Sequence, residues 1–331
     1  MAVPVGDSNL ATSLAGIPLR NPVMLAAGTA GYLDEMAEVV DLSRIGAVVT
    51  KSITAAPREG NNTWRIIESR AGMLNAIGLA NVGIDEFMKT MAPKVGKVPT
   101  TVIGSIAGFS IEEYVRVASA MNTIEAMPAV ELNVSCPNVH GGTEFGADPA
   151  SLRELVGAVR AVLTTKRLFV KLSPIAVAGP GFAITDIARA AIEAKGIPAG
   201  PDRRPGADGL AIANTIPAMA VDVETRKPRL SNITGGLSGP AVHPVVVKLI
   251  HDVYRKVAKE VGIPIIGIGG VLGWEEAAEF ILVGATAVEM GTALFVDPKL
   301  PERVVGGLER WVGRQGCGPG GVAELVGDVV A

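Results

Sequence analysis

Eight short runs of apolar, largely β-branched residues recur along the chain, separated by segments whose apolar residues follow helical spacing. Most residues within each run are apolar, without the alternation of a strand that has one face in water. This pattern is typical of a parallel sheet that is covered on both faces. The runs predict strands at residues 21–27, 46–52, 101–107, 129–136, 168–174, 209–215, 264–270 and 287–294.

The segments between the runs contain signals for the start of a helix. Ser110 followed by Glu113 fits a capping box, and apolar residues continue from there at helical spacing through Met121. Asp148 and Pro149 supply a cap residue and a first-turn proline before a second helical pattern, which runs to Leu163. These signals predict one helix after the third strand and another after the fourth.

Alternating strands and helices predict an α/β fold, a single (β/α)8 TIM barrel domain over residues 1–331. A doubly wound sheet is the alternative, and the barrel is favoured because polar residues cluster at one end of the strands. We expect residues 1–20, through the sequence LAGIPLRN, to form an N-terminal hairpin that plugs the bottom of the barrel. Residues 298–331 are expected to form a C-terminal helical tail.

Long connections leave the C-terminal ends of the second and sixth strands, at residues 53–100 and 216–239. A further loop follows the fourth strand. Since active sites of such barrels lie at this face, we interpret the three as active-site loops. Residues 195–209 instead precede a strand, so they are expected at the opposite face as a solvated insertion.

Composition excludes several classes of protein and of chemistry. The 331 residues have a formal net charge of −3 without a basic run, which argues against nucleic acid and anionic membranes as partners. No apolar stretch reaches the 18 or so residues of a membrane-spanning helix, and the first residues lack the pattern of a signal peptide, so we expect a cytoplasmic protein. Two cysteines cannot hold an iron–sulfur cluster or a four-thiolate zinc site. Redox chemistry would therefore need an organic cofactor or a partner's metal.

Two lysines, Lys51 and Lys171, lie in predicted apolar strands, where an unpaired ammonium is costly to bury. Glu131 and Glu289 are the only acids in strands four to eight, and neither is expected to serve both lysines. Pairing with structural carboxylates is the alternative. We favour an anionic ligand.

Glycine-rich segments follow the seventh and eighth strands, GIGGVLG at residues 267–273 and MGTALF at residues 290–295. This is the usual phosphate-binding position in these barrels, where glycines let the main chain approach oxygen atoms. The first segment has Leu272 where a dinucleotide fingerprint needs its third glycine. The two segments predict a phosphate site without a dinucleotide fold.

Four asparagines are expected near the same mouth: Asn75, Asn133, Asn138 and Asn214. A single asparagine is usually a turn or cap residue, but four together suit a flat ligand edged with imide and carboxylate groups.

Cys136 ends the fourth strand and begins a Pro-Asn-Val-His-Gly-Gly loop, which makes it a candidate nucleophile or general base. An inert buried thiol is the alternative. Cys317, in a glycine-rich tail, is interpreted as structural, and the three histidines lack the spacing of metal ligands.

Five segments together resemble class 1 dihydroorotate dehydrogenases: NVSCPNVHGGTEFGADP (133–149), GMLNAIGLANVG (72–83), VKLSP (170–174), NITGGLSGPAVHP (232–244) and IPIIGIGG (263–270). The resemblance covers residues 10 to 297 approximately. It implies an FMN-dependent enzyme of de novo pyrimidine biosynthesis that oxidises dihydroorotate to orotate. Cys136 would remove the C5 proton while hydride passes from C6 to FMN.

The resemblance also implies which residues bind the two ligands. FMN would contact Ala27, Gly28, Lys51, Ser52, Ser105, Asn133, Lys171, Ala213 and Gly239, with its phosphate on Gly269, Gly270, Gly291 and Thr292. Dihydroorotate would contact Lys51, Asn75, Ala76, Ile77, Gly78, Leu79, Asn133, Asn138, Asn214 and Thr215.

The resemblance is to class 1 because Cys136 occupies the base position, where class 2 enzymes have serine. Within class 1, the HGGxxFGxDP stretch resembles the NAD-linked subclass 1B. The subclass implies a homodimeric core with a partner subunit that carries FAD and a [2Fe–2S] cluster and passes electrons to NAD+. Three residues depart from its usual pattern: Ser105 replaces asparagine, Arg70 replaces proline and Ala80 replaces glutamine. Ser105 puts one flavin contact in question.

Two other functions are weighed against this one. A class 1A-type homodimer would reduce fumarate directly without a partner subunit. A phosphosugar isomerase or lyase on the same barrel would need an acid–base pair of carboxylates at the strand ends, and the sequence does not indicate such a pair.

Overall fold

The computed structural model describes residues 8–135, 145–174, 182–194 and 204–330. Its strands in chain order are β1 (Thr12–Leu14), β2 (Ile17–Leu19), β3 (Val23–Leu25), β4 (Ala47–Val49), β5 (Ile66–Ser69), β6 (Gly72–Asn75), β7 (Thr101–Ile106), β8 (Ala129–Asn133), β9 (Arg167–Leu172), β10 (Gly209–Ile212), β11 (Ile216–Met219), β12 (Val221–Asp222), β13 (Lys227–Pro228), β14 (Thr234–Ser238), β15 (Ile265–Ile268) and β16 (Ala287–Met290).

The α-helices are α1 (Gly83–Thr90), α2 (Ile111–Asn122), α3 (Pro149–Val162), α4 (Ile184–Ile192), α5 (His243–Val253), α6 (Lys259–Val261), α7 (Trp274–Leu282), α8 (Ala293–Val296) and α9 (Leu300–Val312). A π-helical turn, Tyr254–Ala258, joins α5 to α6. Short 3₁₀ helices are Leu42–Arg44, Ala92–Lys97, Phe145–Ala147, Pro240–Val242 and Gly321–Leu325. No helix within the described ranges is long and apolar enough to cross a membrane.

Eight parallel strands close into a barrel in the order β3, β4, β7, β8, β9, β10, β15 and β16. Strand β16 pairs with β3, which closes the cylinder and excludes an open doubly wound sheet. The predicted (β/α)8 barrel is therefore confirmed. Each predicted strand overlaps an observed one, but most observed strands are shorter, and β9 begins one residue before its prediction. Residues such as Ala26 and Lys51 lie beyond the ends of the observed strands and line a cavity, so apolar patterning extended the predicted strands too far.

The first strand-to-strand connection departs from the regular pattern. Between β3 and β4 the chain forms only the 3₁₀ helix Leu42–Arg44. The two predicted helix starts are confirmed. The Ser110 side chain accepts a hydrogen bond from the Glu113 amide, and the Asp148 carboxylate accepts one from the Ser151 amide. Side-chain oxygens at these positions satisfy amides that have no partner within the helix.

The bottom of the barrel is filled by the hairpin of β1 and β2. Leu14, Ile17 and Leu19 pack in one buried cluster with inward residues of the barrel strands. Those inward residues are Met24, Ala47, Val49, Ile103, Ala129, Phe169, Ala211, Ile266, Ile268 and Ala287. The predicted hairpin plug is therefore present. A larger buried cluster lies outside the strands, beneath the helices.

The two long connections expected as loops form one antiparallel sheet in the order β11, β14, β6 and β5. Register pairs Gly236 with Asn75 and Ser238 with Met73. Gly72 is needed here, because an added Cβ would lie 2.0 Å from the Ser238 carbonyl oxygen. The sheet covers part of the barrel's C-terminal face.

The expectation that all of residues 195–209 form a solvated insertion is wrong for its last residues. Residues 195–203 lie outside the described ranges, whereas Gly206, Ala207 and Asp208 are buried. The Asp208 carboxylate lies 2.8 Å from the Arg160 guanidinium and 3.4 Å from that of Arg167. A buried arginine needs such a partner, which draws this end of the segment inward.

Candidate active site

A cavity of about 820 Å³ lies at the C-terminal ends of the barrel strands. Its size is within the range of cofactor and substrate pockets. Most of the predicted site residues line it: Ala27, Gly28, Lys51, Ser52, Asn75, Ile77, Gly78, Leu79, Asn133, Lys171, Ala213, Asn214, Thr215, Gly239, Gly269, Gly270, Gly291 and Thr292. The parallel strands bring these residues together because all their C-terminal ends lie on one face.

Two predicted contacts do not line this cavity. Ala76 packs beside Leu74 and Leu230 in a small separate cluster. Ser105 is fully buried, and its hydroxyl lies 2.8 Å from that of Ser52, which does line the cavity. Cys136 and Asn138 lie outside the described residues, so their placement stays a prediction from the sequence.

A network of side chains fixes the amides at the ends of β8 and β10. The Asn133 Oδ1 accepts hydrogen bonds from the Ser135 hydroxyl at 2.7 Å and from the Asn214 side-chain amide at 3.2 Å. The Tyr114 hydroxyl donates to the Asn133 carbonyl at 2.7 Å, so helix α2 supports the same strand end. With Oδ1 engaged, the NH₂ group of Asn133 is the part that can donate to a ligand.

The loop at residues 76–79 is held by hydrogen bonds to its main-chain carbonyl groups. Asn61 donates from its main-chain amide to the Ile77 carbonyl at 3.0 Å and from its side chain to the Ala76 carbonyl at 2.9 Å. Arg58 donates to the Gly78 carbonyl at 3.3 Å. Asn75 uses its NH₂ group on the Gly236 carbonyl at 3.3 Å, which leaves its side-chain oxygen as an acceptor.

The two lysines differ in their surroundings. Lys171 Nζ lies 3.6 Å from Glu131 and 3.5 Å from Glu289. The expectation that Lys171 needs an anionic ligand as its partner is therefore wrong, because strands β8 and β16 supply carboxylates from inside the barrel. Glu131 and Glu289 thus form a pair of carboxylates near the strand ends, which the sequence did not indicate. Glu289 lines the cavity, whereas Glu131 does not.

Lys51 forms no ion pair with any carboxylate that the structure describes. Burial lowers the pKa of Lys51, the nearby Arg65 guanidinium lowers it further, and Glu35 partly opposes them. A half-buried cation without a close counter-ion is suited to bind a ligand carboxylate.

The glycine-rich segments lie where the sequence places them. Gly269 has φ of +141° and Gly270 has φ of +71°. The His243 ring holds this turn, since Nδ1 lies 3.0 Å from the Gly269 carbonyl and Nε2 lies 2.9 Å from a Glu279 carboxylate oxygen. A Cβ added to Gly28 would meet no atom within 4 Å, so it would extend into open space. Such positions let a ligand approach the main chain.

Sequence reasoning missed several lining residues. Arg58, Glu68 and Arg70 come from the connection after β4, and Phe295 and Val296 come from α8. The Arg58 guanidinium lies 4.5 Å from the centre of the Phe109 ring. A charged residue in a long loop at the C-terminal face was the available signal for the first three. In the described part of the chain, no cluster of three or more His, Cys, Asp or Glu side chains could hold a metal ion.

Comparison with known proteins identifies the family. The sequence model described as Dihydroorotate dehydrogenase matches residues 9–312. A protein of Trichlorobacter lovleyi is 44% identical over 319 residues, which cover 96% of this chain and 97% of the relative. Proteins of Bacteroides thetaiotaomicron (41% over 321 residues, 97% and 98%) and Geobacter sulfurreducens (44% over 320 residues, 96% and 97%) are also similar. Each is named "Dihydroorotate dehydrogenase B (NAD(+)), catalytic subunit". The chain therefore belongs to the dihydroorotate dehydrogenase family.

Proposed function

We propose that this protein uses FMN to oxidise dihydroorotate to orotate in de novo pyrimidine biosynthesis. The observation that carries the proposal is one cavity whose wall combines glycine turns at Gly269–Gly270 and Gly291 with polar groups at Lys51, Asn133 and Asn214. The first set suits a phosphate, and the second suits a flat ring bearing a carboxylate and imide groups. The names of the relatives support the same activity.

The residues present fit FMN. The main chain is open at Gly28, where an added Cβ would meet nothing within 4 Å, and at Gly291, where it would come no closer than 3.6 Å to another side chain. Lys171 reaches the cavity as a buried hydrogen-bond donor, and Ser52 adds a hydroxyl. Gly269, Gly270, Gly291 and Thr292 would hold the phosphate. The rest of FMN would be lined by Ala27, Gly28, Lys51, Ser52, Asn133, Lys171, Ala213 and Gly239, and Ser105 would act on it only through Ser52.

The residues of this chain would bind the substrate and move its proton. When bound, FMN supplies the acceptor for the hydride that leaves C6. Lys51 would bind the substrate carboxylate, and the Asn133 NH₂ group and the Asn75 oxygen would orient the ring. Asn214, Thr215, Asn138 and the loop at residues 76–79 would complete the pocket. Cys136, the next residue after the cavity-lining Ser135, would remove the C5 proton as a thiolate.

The relatives are named as catalytic subunits of an NAD(+)-linked enzyme, which supports a multi-subunit assembly for this chain. We propose a homodimeric core with a partner subunit that carries FAD and a [2Fe–2S] cluster and delivers electrons to NAD+. Coexpression with that partner should give NAD+ reduction by dihydroorotate. Direct reduction of fumarate by the isolated chain would instead indicate the homodimeric class 1A activity.

Anaerobic addition of dihydroorotate tests the activity itself. The purified protein should be yellow, and dihydroorotate should bleach its flavin absorbance at least as fast as the enzyme turns over. Succinate and lactate serve as control carboxylates that should leave the absorbance unchanged. A colourless protein that takes up no FMN would contradict the proposal.

A further inference from the structure

Lys171, Glu131 and Glu289 form a buried ionic cluster beneath the cavity. The side chains of both glutamates are at most 1% exposed, and that of Lys171 is 8% exposed. Lys171 Nζ lies 3.6 Å from one carboxylate and 3.5 Å from the other. All four carboxylate oxygens lack a hydrogen-bond partner in the described part of the protein. The cluster therefore contains more acceptors than the single ammonium can satisfy.

Strand geometry places the cluster directly above the apolar core of the barrel. Ala129, Phe169 and Ala287 point into that core. Because side chains two residues apart on a strand share one face, Glu131, Lys171 and Glu289 point inward one layer higher. Glu289 lines the cavity at this level, and so does Lys171. The register partners of Glu289 on the flanking strands are the apolar Met24 and Ile268. The charged groups that act on Glu289 are Glu131 and Lys171.

Full ionisation would leave this cluster with a net negative charge in a buried site. A single ammonium balances one carboxylate, and the second would be an uncompensated buried anion. Burial raises the pKa of Glu289 well above its usual range, and the neighbouring Glu131 raises it further, while Lys171 opposes both. Burial alone would lower the pKa of Lys171, but the two carboxylates raise it above its usual value. The ammonium therefore stays charged.

We propose that Glu289 holds a proton at neutral pH, which keeps the cluster neutral, and that this proton is needed for tight binding of FMN against Lys171. This inference rests on the proposed function. The ring system of FMN presents carbonyl oxygens and ring nitrogens to donors, and these interact well with a lysine in a neutral cluster. Loss of the proton from Glu289 would add a negative charge at the cavity wall and weaken FMN binding. Glu289 is in this sense a positioning residue that acts through Lys171.

The first experiment needs no cofactor. Infrared spectra of the ligand-free protein should show a protonated-carboxyl band that is absent from the Glu289→Gln variant and present in the Glu125→Gln variant. Glu125 is an exposed matched control. If the Glu289→Gln variant does not fold, the Glu131→Gln variant replaces it. There Glu289 would be the sole counter-ion of Lys171, so the same band should again disappear.

The second experiment measures the FMN dissociation constant of the apoprotein from about pH 6 to about pH 9.5, which spans the pKa values documented for buried glutamates. Above the pKa of Glu289, affinity in the unmodified protein and in Glu125→Gln should fall by up to about tenfold per pH unit, as expected for one linked proton. In Glu289→Gln the amide cannot ionise. This variant should bind FMN tightly and show only the pH dependence of FMN itself.

A merely structural cluster would lower stability in Glu289→Gln without changing the shape of the pH profile. An infrared band that persists in Glu289→Gln, or identical pH profiles in all three proteins, would overturn the inference. Failure of every protein to bind FMN would overturn the proposed function instead, and the infrared band would then decide the protonation of Glu289 by itself.

Discussion

The hydroxyl oxygens of Ser52 and Ser105 lie 2.8 Å apart at the ends of adjacent barrel strands, and of the two only Ser52 lines the cavity. Ser105 also donates its main-chain amide to the Thr50 hydroxyl at 2.9 Å. Ser105, one of three departures from the pattern of the subclass that the sequence resembles, is thus joined to the cavity through a neighbour. This arrangement predicts a structural role for Ser105 and a binding role for Ser52.

We expect Ser105→Ala to leave FMN affinity nearly unchanged. The substitution removes one partner of a buried hydroxyl, so the free energy of unfolding should fall by about 1 to 3 kcal/mol. Ser52→Ala is the matched comparison and should weaken FMN binding more than Ser105→Ala does. Urea unfolding and FMN titration of both variants provide the measurements, and a greater loss of FMN affinity in Ser105→Ala would show that Ser105 contacts the flavin.

Gly291→Ala should weaken FMN binding without unfolding the protein. The added Cβ would lie 3.6 Å from the Ala26 Cβ, an ordinary contact, but it would occupy the surface of the proposed phosphate site. We expect a loss of at least about tenfold in affinity, equivalent to ~1.4 kcal/mol. Gly306→Ala is the control, since this glycine lies within α9 and the new Cβ would approach only the Arg310 side chain at 3.6 Å. Its FMN affinity should not change, and its stability should rise slightly.

Lys51→Met should stabilise the ligand-free protein at neutral pH while weakening orotate binding. The pKa of Lys51 is lowered in the folded state, so the charged lysine favours the unfolded state below that pKa. This penalty disappears as pH rises from the folded pKa towards the unfolded value of about 10.4. The stability difference between Lys51→Met and the unmodified protein should shrink over the same range. Unfolding experiments across alkaline pH provide the measurement.

Orotate titration supplies the second half of that test. Loss of one charge-assisted hydrogen bond should cost about 1.5 to 3 kcal/mol of binding free energy. The exposed Lys94→Met variant serves as the control and should behave like the unmodified protein in both measurements. Unchanged orotate affinity in Lys51→Met would remove Lys51 from the substrate site.

Cys136→Ala should retain bound flavin but lose most of its reduction by dihydroorotate. A general base contributes about 10² to 10⁴-fold in rate, so stopped-flow bleaching should slow by that range. Cys136→Ser should retain weak activity that increases at high pH, because a hydroxyl is a poorer base than a thiolate. Cys317→Ala is the matched control for removal of a thiol. Equal bleaching rates in Cys136→Ala and the unmodified protein would exclude Cys136 as the base.

Asp208→Ala should destabilise the fold far more than Asp85→Ala. Asp208 is the buried counter-ion of Arg160, which is 0% exposed, and it also accepts the Leu168 amide at 2.8 Å. Removing one partner of such a pair costs about 3 to 5 kcal/mol. Asp85 pairs with Arg116 on the surface, so its loss should cost no more than about 1 kcal/mol. Comparable unfolding free energies for the two variants would contradict this assignment.

The sequence predicted the barrel and most of the cavity because both depend on periodicity and on the direction of parallel strands. Apolar runs predicted β8 and β9, and the ends of those runs predicted that Asn133 and Lys171 face the cavity. Contacts across the barrel could not be predicted in the same way. Glu131 and Lys171 lie on the paired strands β8 and β9, whereas Glu289 lies on β16, which does not pair with either. The curvature of the barrel brings the Glu289 carboxylate within 3.5 Å of Lys171 Nζ. The inward position of Asp208 was missed because a loop composition rich in Gly, Pro and Arg resembles that of a solvated segment.

Pairing of β6 with β14 joins residues 73–75 to residues 236–238, so one wall of the cavity is assembled from distant parts of the chain. Closing the long intervening loop costs chain entropy, so we expect this pairing to form after contacts that are local in the sequence. During synthesis, that wall cannot exist until Ser238 has left the ribosome, and the glycine turn at Gly291 emerges later still. If FMN binds as proposed, its capture is one of the last events in the maturation of this chain, and we expect a truncated N-terminal product not to retain it.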